Sequence, residues 1–122
     1  MSPRSQELLE LARRRLAQAR VDLQAGFPDG AISAAYYAML AAARAALSER
    51  DRNARTHSGT WHLFHEEFVA AGSFDRDLFA EGPRAQQLRW ASDYEGEEFS
   101  AADGERAITV AERFLAGVER AI

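Results

Sequence analysis

Apolar side chains recur along this chain at three- and four-residue steps, and almost nowhere at alternate positions, so the pattern predicts helices throughout. Ser2 followed by Pro3 forms a cap and first-turn pair, opening a helix to about Ala25. Leu8, Leu11, Ala12, Ala19 and Leu23 lie along one stripe of that helix. Gly26-Phe27-Pro28-Asp29-Gly30 breaks it. A second helix is expected from near Asp29 to about Arg50, with Ile32, Tyr36, Leu40, Ala43 and Leu47 on its buried face. Its many alanines allow neighbouring helices to approach closely. Asp51 to Thr56 is polar and reads as a loop.

Thr56 or Ser58 is placed to cap a shorter third helix that carries Trp61, Phe64 and Phe68 and ends near Gly72. Asp75 caps the next, which Gly82-Pro83 is expected to divide into a short helix to Glu81 and a longer one from Pro83 to Tyr94. Ser100-Ala101-Ala102-Asp103 has the form of a capping box. The helix it opens carries Ile108, Ala111, Leu115, Val118 and Ile122 as its apolar stripe. The expectation is an all-α antiparallel bundle of about five helices, one domain over residues 1–122, with neither repeats nor a low-complexity linker.

Composition narrows the function classes. With 122 residues the chain can bury a modest core. It has no Cys, which excludes disulfides and thiolate metal sites. No run approaches the roughly 18 apolar residues of a membrane span, and Met1 to Ser5 lacks the apolar region of a secretory signal. A cytoplasmic protein with no membrane contact is expected. The net charge of -4 argues against a coat that binds nucleic acid by general charge neutralisation. All 15 basic residues are Arg, and Arg50, Arg52 and Arg55 cluster just before His57.

Three polar-aromatic islands stand out from the Ala-rich background: residues 33–40 (Ser-Ala-Ala-Tyr-Tyr-Ala-Met-Leu), 56–59 (Thr-His-Ser-Gly) and 89–94 (Arg-Trp-Ala-Ser-Asp-Tyr). Tyr36 falls in the apolar stripe and reads as a core tyrosine with a satisfied hydroxyl. Tyr37 lies about 100° further round, on a face shared with Ser33 and Arg44. His57 begins the third helix, where the dipole and the three upstream arginines disfavour its charged form, leaving a neutral imidazole suited to general-base work. His62 and His65 are three apart, yet with Glu66 they match neither usual zinc-binding order, and no metal site is expected. Arg89 and Asp93 are spaced for an intrahelical ion pair worth about 0.2–0.5 kcal/mol. Tyr94 is roughly 140° round the helix from Arg89, so the two converge only with distortion or across a dimer.

Taken together and in this order, the islands resemble the HEPN domain, in its small stand-alone prokaryotic branch (UPF0332-like). The carriers are the Ala31 to Leu40 block, Arg44-Ala45-Ala46-Leu47, Thr56-His57-Ser58-Gly59, and Arg89 to Tyr94. The resemblance implies a helical bundle paired as a homodimer, and a nucleotide- or RNA-interacting member of a toxin–antitoxin-like pair with a minimal nucleotidyltransferase. Many members are metal-independent ribonucleases, needing no cofactor, that carry an Arg-x4-6-His motif doubled across the dimer cleft.

This chain departs from that motif. Tyr94 stands where its His would fall, and a tyrosine, only about 0.1% ionised at pH 7, is a base weaker by roughly 4 kcal/mol. The expected assignment is therefore Arg89 for phosphate charge, His57 as base and Tyr94 as acid or orienting group, with Tyr37, Asp93 and Arg55 binding substrate. Arg52 to His57 also satisfies Arg-x4-His, though outside the usual helix, and reads as a coincidence of an Arg-rich chain. The competing class is a non-catalytic helical dimer, a binding module that serves the nucleotidyltransferase as partner or substrate, with Tyr94 as an acceptor for nucleotidyl transfer.

Overall fold

Local capping signals set most of the helix boundaries. In the computed structural model, which describes all 122 residues, five α-helices follow one another: α1 (Pro3–Gln24), α2 (Pro28–Ser48), α3 (His57–Phe64), α4 (Arg76–Tyr94) and α5 (Ala101–Ala121). The hydroxyl of Ser2 accepts from the Ser5 amide to start α1. The Asp75 carboxylate accepts from Leu78 to start α4. Ser100 and Asp103 complete a reciprocal capping box at α5. The fold is the all-helical bundle that the periodicity predicts.

Helix α2 is the axis of the bundle, packing most extensively on α1 and α5 and then on α4 and α3. Ala31, Ala38, Ala42, Ala43, Ala45 and Ala46 are all fully buried, so small side chains surround the helix and neighbours close in on every side. The alanines also make α2 long and apolar enough to cross a membrane by length and composition, contrary to the expectation that no segment qualifies. Here 78% of that apolar window is buried against the chain's own helices.

A second centre of packing is aromatic. Phe64 is fully buried and its ring meets Phe68 at 5.1 Å, Phe74 at 4.9 Å, Phe114 at 5.6 Å and Phe79 at 6.1 Å. Those partners come from the π-helical turn after α3, the following loop, α5 and α4, so one residue pins four segments together.

Two further features depart from the sequence expectation. Helix α4 is not divided at Gly82-Pro83 but runs unbroken from Arg76 to Tyr94 with Pro83 inside it. Pro removes one helical hydrogen bond, at a cost near 3 kcal/mol, but tertiary packing holds the helix straight through. A side chain at Gly82 would approach the Trp61 indole to 2.9 Å, so this glycine is the slot that admits Trp61 against α4 rather than a breaker. The third helix, expected to end near Gly72, changes character after Phe64 and passes through one π-helical turn, His65–Val69. The Ala70 amide there donates to the His65 carbonyl at 2.9 Å.

Candidate functional site

The site grows from α2. Tyr36 is wholly buried on the stripe that packs toward α3 and α4, and its hydroxyl therefore needs a polar partner. That partner is Nδ1 of His57, 2.9 Å away on the first residue of α3. Thr56 holds the histidine in place: as the cap of α3, its hydroxyl accepts from the Gly59 amide at 2.9 Å. Tyr37 closes the other side, with its ring 5.3 Å from Tyr36 and 6.1 Å from His57. Trp61 backs Tyr36 at 6.2 Å and donates through its indole N–H to Gln86 of α4 at 3.2 Å.

Helix α4 brings Arg89 to the same two tyrosines. Its guanidinium carbon sits 5.4 Å from the Tyr37 ring centroid and 5.8 Å from that of Tyr36, within cation–π range of both. One terminal nitrogen donates to Asp93 at 3.0 Å, and the side chain is 15% exposed. The Nε–H is buried and has no acceptor. A desolvated, unpaired donor on a cation costs free energy. From α2, Arg44 donates through Nε to the Thr60 hydroxyl at 3.2 Å, which in turn donates to the Thr56 carbonyl at 2.9 Å.

These surroundings set the protonation states. Burial pushes the Tyr36 hydroxyl up to about 12, so it stays protonated across the physiological range. His57 is held below the usual imidazole range, first by burial and then by the positive charges of Arg44 and Arg89. The direction is the expected one, but the arginines responsible are not those upstream in sequence. Arg50 and Arg52 turn to Glu67 at 3.7 and 2.7 Å, and Arg55 is exposed. Folding thus favours neutral His57: stability from this group is present above the unfolded pKa near 6.5 and lost as pH falls through the lower folded value. An NMR titration of His57 should give a midpoint below that of an unfolded peptide, and Arg44→Gln should move it upward.

Of the residues singled out by sequence, Tyr37, His57 and Arg89 meet, and Asp93 joins them through Arg89. Tyr94 does not. It is 68% exposed and packs on Trp90 at 5.6 Å, while Arg89 on the same helix turns inward. Arg55 lies on the surface of the loop before α3. The Arg52 to His57 match assembles nothing, because Arg52 is engaged by Glu67. His62 pairs with Glu66 at 3.5 Å and His65 packs edge-on against Phe79 at 5.2 Å, each occupied separately.

Arg44 and Thr60 were not among the sequence candidates. The sequence places Arg44 on the face of Tyr37, seven residues or about two turns beyond it, but gives it no role there. Chemically, the cluster offers a neutral imidazole, a protonated phenol and two guanidinium groups around one aromatic floor.

Comparison with known proteins is consistent over nearly the whole length. A family model for the HEPN domain matches residues 5–121. A UPF0332 protein of Gloeobacter violaceus is 31% identical over 117 residues, covering 94% of this chain and 93% of the relative. Two proteins of Methanocaldococcus jannaschii also match. The one named "Putative toxin MJ0605" is 27% identical, over 96% of this chain and 87% of its own. The one named "Putative toxin MJ0142" is 30% identical, over 74% and 61% respectively.

Proposed function

The chain belongs to the HEPN family, and from that premise we propose that it is a toxin-like, RNA-interacting protein of the cytoplasm that cleaves RNA without a metal. The observation that carries this reading is the meeting of His57 and Arg89 on the Tyr36–Tyr37 floor: a neutral base and a fixed cation placed together by helices distant in sequence. The toxin names of two relatives point the same way.

In the proposed reaction His57 takes the proton of a ribose 2′-hydroxyl, whose oxygen attacks the adjacent phosphorus. The bond from phosphorus to the 5′-oxygen breaks, and that oxygen takes up a proton. The products are a 2′,3′-cyclic phosphate and a 5′-hydroxyl. Arg89, whose side chain is 15% exposed, stabilises the charge on the phosphate oxygens through its guanidinium. The base role requires one tautomer, in which Nδ1–H donates to the Tyr36 oxygen and Nε2 carries the free lone pair. Tyr36 and Asp93 are positioning residues, one for the imidazole and one for the guanidinium. The chemistry is tested by the products: fragments should carry cyclic phosphate ends, and a single 2′-deoxy substitution at the cleaved position should block cutting there. Cutting that survives that substitution contradicts the mechanism.

Tyr94 enters through a second copy of the chain. Leu88, Trp90 and Tyr94 are exposed apolar or aromatic residues along α4, a composition suited to an interface. A homodimer that packs α4 against its twin relaxes the roughly 140° separation of Arg89 and Tyr94 if one copy's Tyr94 reaches past the edge of the other's α4 to Arg89, where it can protonate the leaving oxygen. Sedimentation should report a dimer for the wild type and a monomer for a Leu88→Ala, Trp90→Ala variant. A monomeric wild type would contradict this arrangement.

The exposure of Tyr94 favours one alternative, a non-catalytic dimer whose Tyr94 hydroxyl accepts a nucleotidyl group from a minimal nucleotidyltransferase partner. Mass spectrometry after co-incubation with that enzyme and nucleotide distinguishes them, an adduct confined to Tyr94 supporting the alternative.

A further inference from the structure

A cationic cleft opens on the far side of Arg44. It has a volume of about 260 Å³ and lies between the start of α1, the end of α2 and the loop before α3. Arg4, Arg44, Arg52, Ser48 and Asn53 line it over an apolar floor that includes Leu47, and no carboxylate is among the lining residues. In a chain of net charge -4 this concentration of positive charge runs against the average.

The three arginines are not equally engaged elsewhere. Arg52 is drawn outward by Glu67 at 2.7 Å, and Arg4 meets Glu7 only at 3.8 Å in an exposed pair. Arg44 has no carboxylate partner. Its Nε is anchored to Thr60 at 3.2 Å, which fixes the guanidinium as it borders the cleft. The same guanidinium also acts on His57, so the cleft and the imidazole share one cation. A planar, anchored guanidinium at Arg44 beside neutral Ser and Asn side chains suits phosphate oxygens.

The geometry points to this cleft as a second phosphate-binding subsite, in which Arg44 holds a backbone phosphate flanking the one at Arg89 and Arg4 and Arg52 add positive charge at the rim, Arg52 while shared with Glu67 and Glu66. As a contact to an RNA strand it rests on the RNA-interacting reading above. The phosphate chemistry itself does not, since the phosphates of a free nucleotide would be held by the same groups. The subsite reads charge and not base identity, and it fixes the strand's register relative to His57.

Two probes separate the possibilities: a fluorescein-labelled single-stranded RNA followed by anisotropy across a salt series, and inorganic pyrophosphate followed by thermal shift. Arg4→Gln with Arg52→Gln removes two cleft charges. Arg13→Gln with Arg20→Gln removes two charges from the α1–α5 side, where they pair with Glu119 and Glu112. With folding checked by circular dichroism, the cleft variant should bind RNA about tenfold more weakly, with a salt slope shallower by about 0.7, the value for one lost phosphate contact on a single strand. The control pair should keep the wild-type slope.

Equal losses in both variants would overturn the subsite and leave RNA binding standing. Pyrophosphate stabilisation that depends on the cleft arginines, without RNA binding by the wild type, would keep the subsite, end the RNA reading and assign the cleft to a free nucleotide's phosphates. A wild type that responds to neither probe overturns both.

Discussion

Replacing Arg89 with Ala should lower metal-free RNA cleavage by about 10²- to 10³-fold, the range seen when one charge-stabilising donor is removed from a transition state. The protein should stay folded. Arg89 contributes an exposed-side ion pair to Asp93, worth about 0.2–0.5 kcal/mol, and cation–π contact with two tyrosines, worth about 0.5–1 kcal/mol or somewhat more. Against these stands its buried, unpaired Nε–H, a liability of about 1–3 kcal/mol that the alanine variant sheds. The terms nearly cancel, so the unfolding free energy should change by no more than about 1 kcal/mol. Activity and stability therefore part company at this position, and denaturant unfolding beside a cleavage assay checks both. A variant that lost several kcal/mol would mark Arg89 as a structural residue.

Phe64→Ala should do the reverse. The ring is fully buried among four other phenylalanines contributed by separate segments, and removing it leaves a cavity that the bundle can only partly fill. The expected loss is about 3–5 kcal/mol. For 122 residues the unfolding entropy is roughly 0.26 kcal/mol per kelvin, so thermal unfolding should fall by about 12–20 °C. Phe64→Leu, which keeps most of the volume, should recover a large part of that difference. A fall of only a few degrees for the alanine variant would mean that α3 is peripheral to the core.

These two positions also mark how far the sequence could be read. Helix starts were legible because their signals are local: Ser2 before Pro3, Asp75, and Ser100 with Asp103 each satisfy amides within one turn. The angular separation of Arg89 and Tyr94 on α4 was legible too, since it follows from helix geometry alone, but not which of the two turns inward. The continuity of α4 was not legible. Gly82-Pro83 is a local stop signal, and what overrides it is Trp61, twenty-one residues earlier, packing where a side chain at Gly82 would stand.

Nor was the source of His57's depressed pKa legible. Of the upstream arginines, Arg50 and Arg52 are committed to Glu67 and Arg55 is exposed, whereas Arg44 and Arg89 reach the ring only through the packing of α2 and α4. The hydrogen bond from His57 to Tyr36 is of the same kind: a buried phenol announces the need for a partner without naming it. The islands stood out by composition and their order carried the family resemblance, while tertiary packing decided which of their residues meet.

The most direct test of the central claim, that His57 and Arg89 act on RNA as one site, is cleavage of a mixed RNA panel in EDTA by wild type, Arg89→Ala and His57→Ala, each shown to be folded. The account predicts cleavage by the wild type and its loss in both variants. Undiminished cleavage by His57→Ala, or none by the wild type on any RNA, would contradict it.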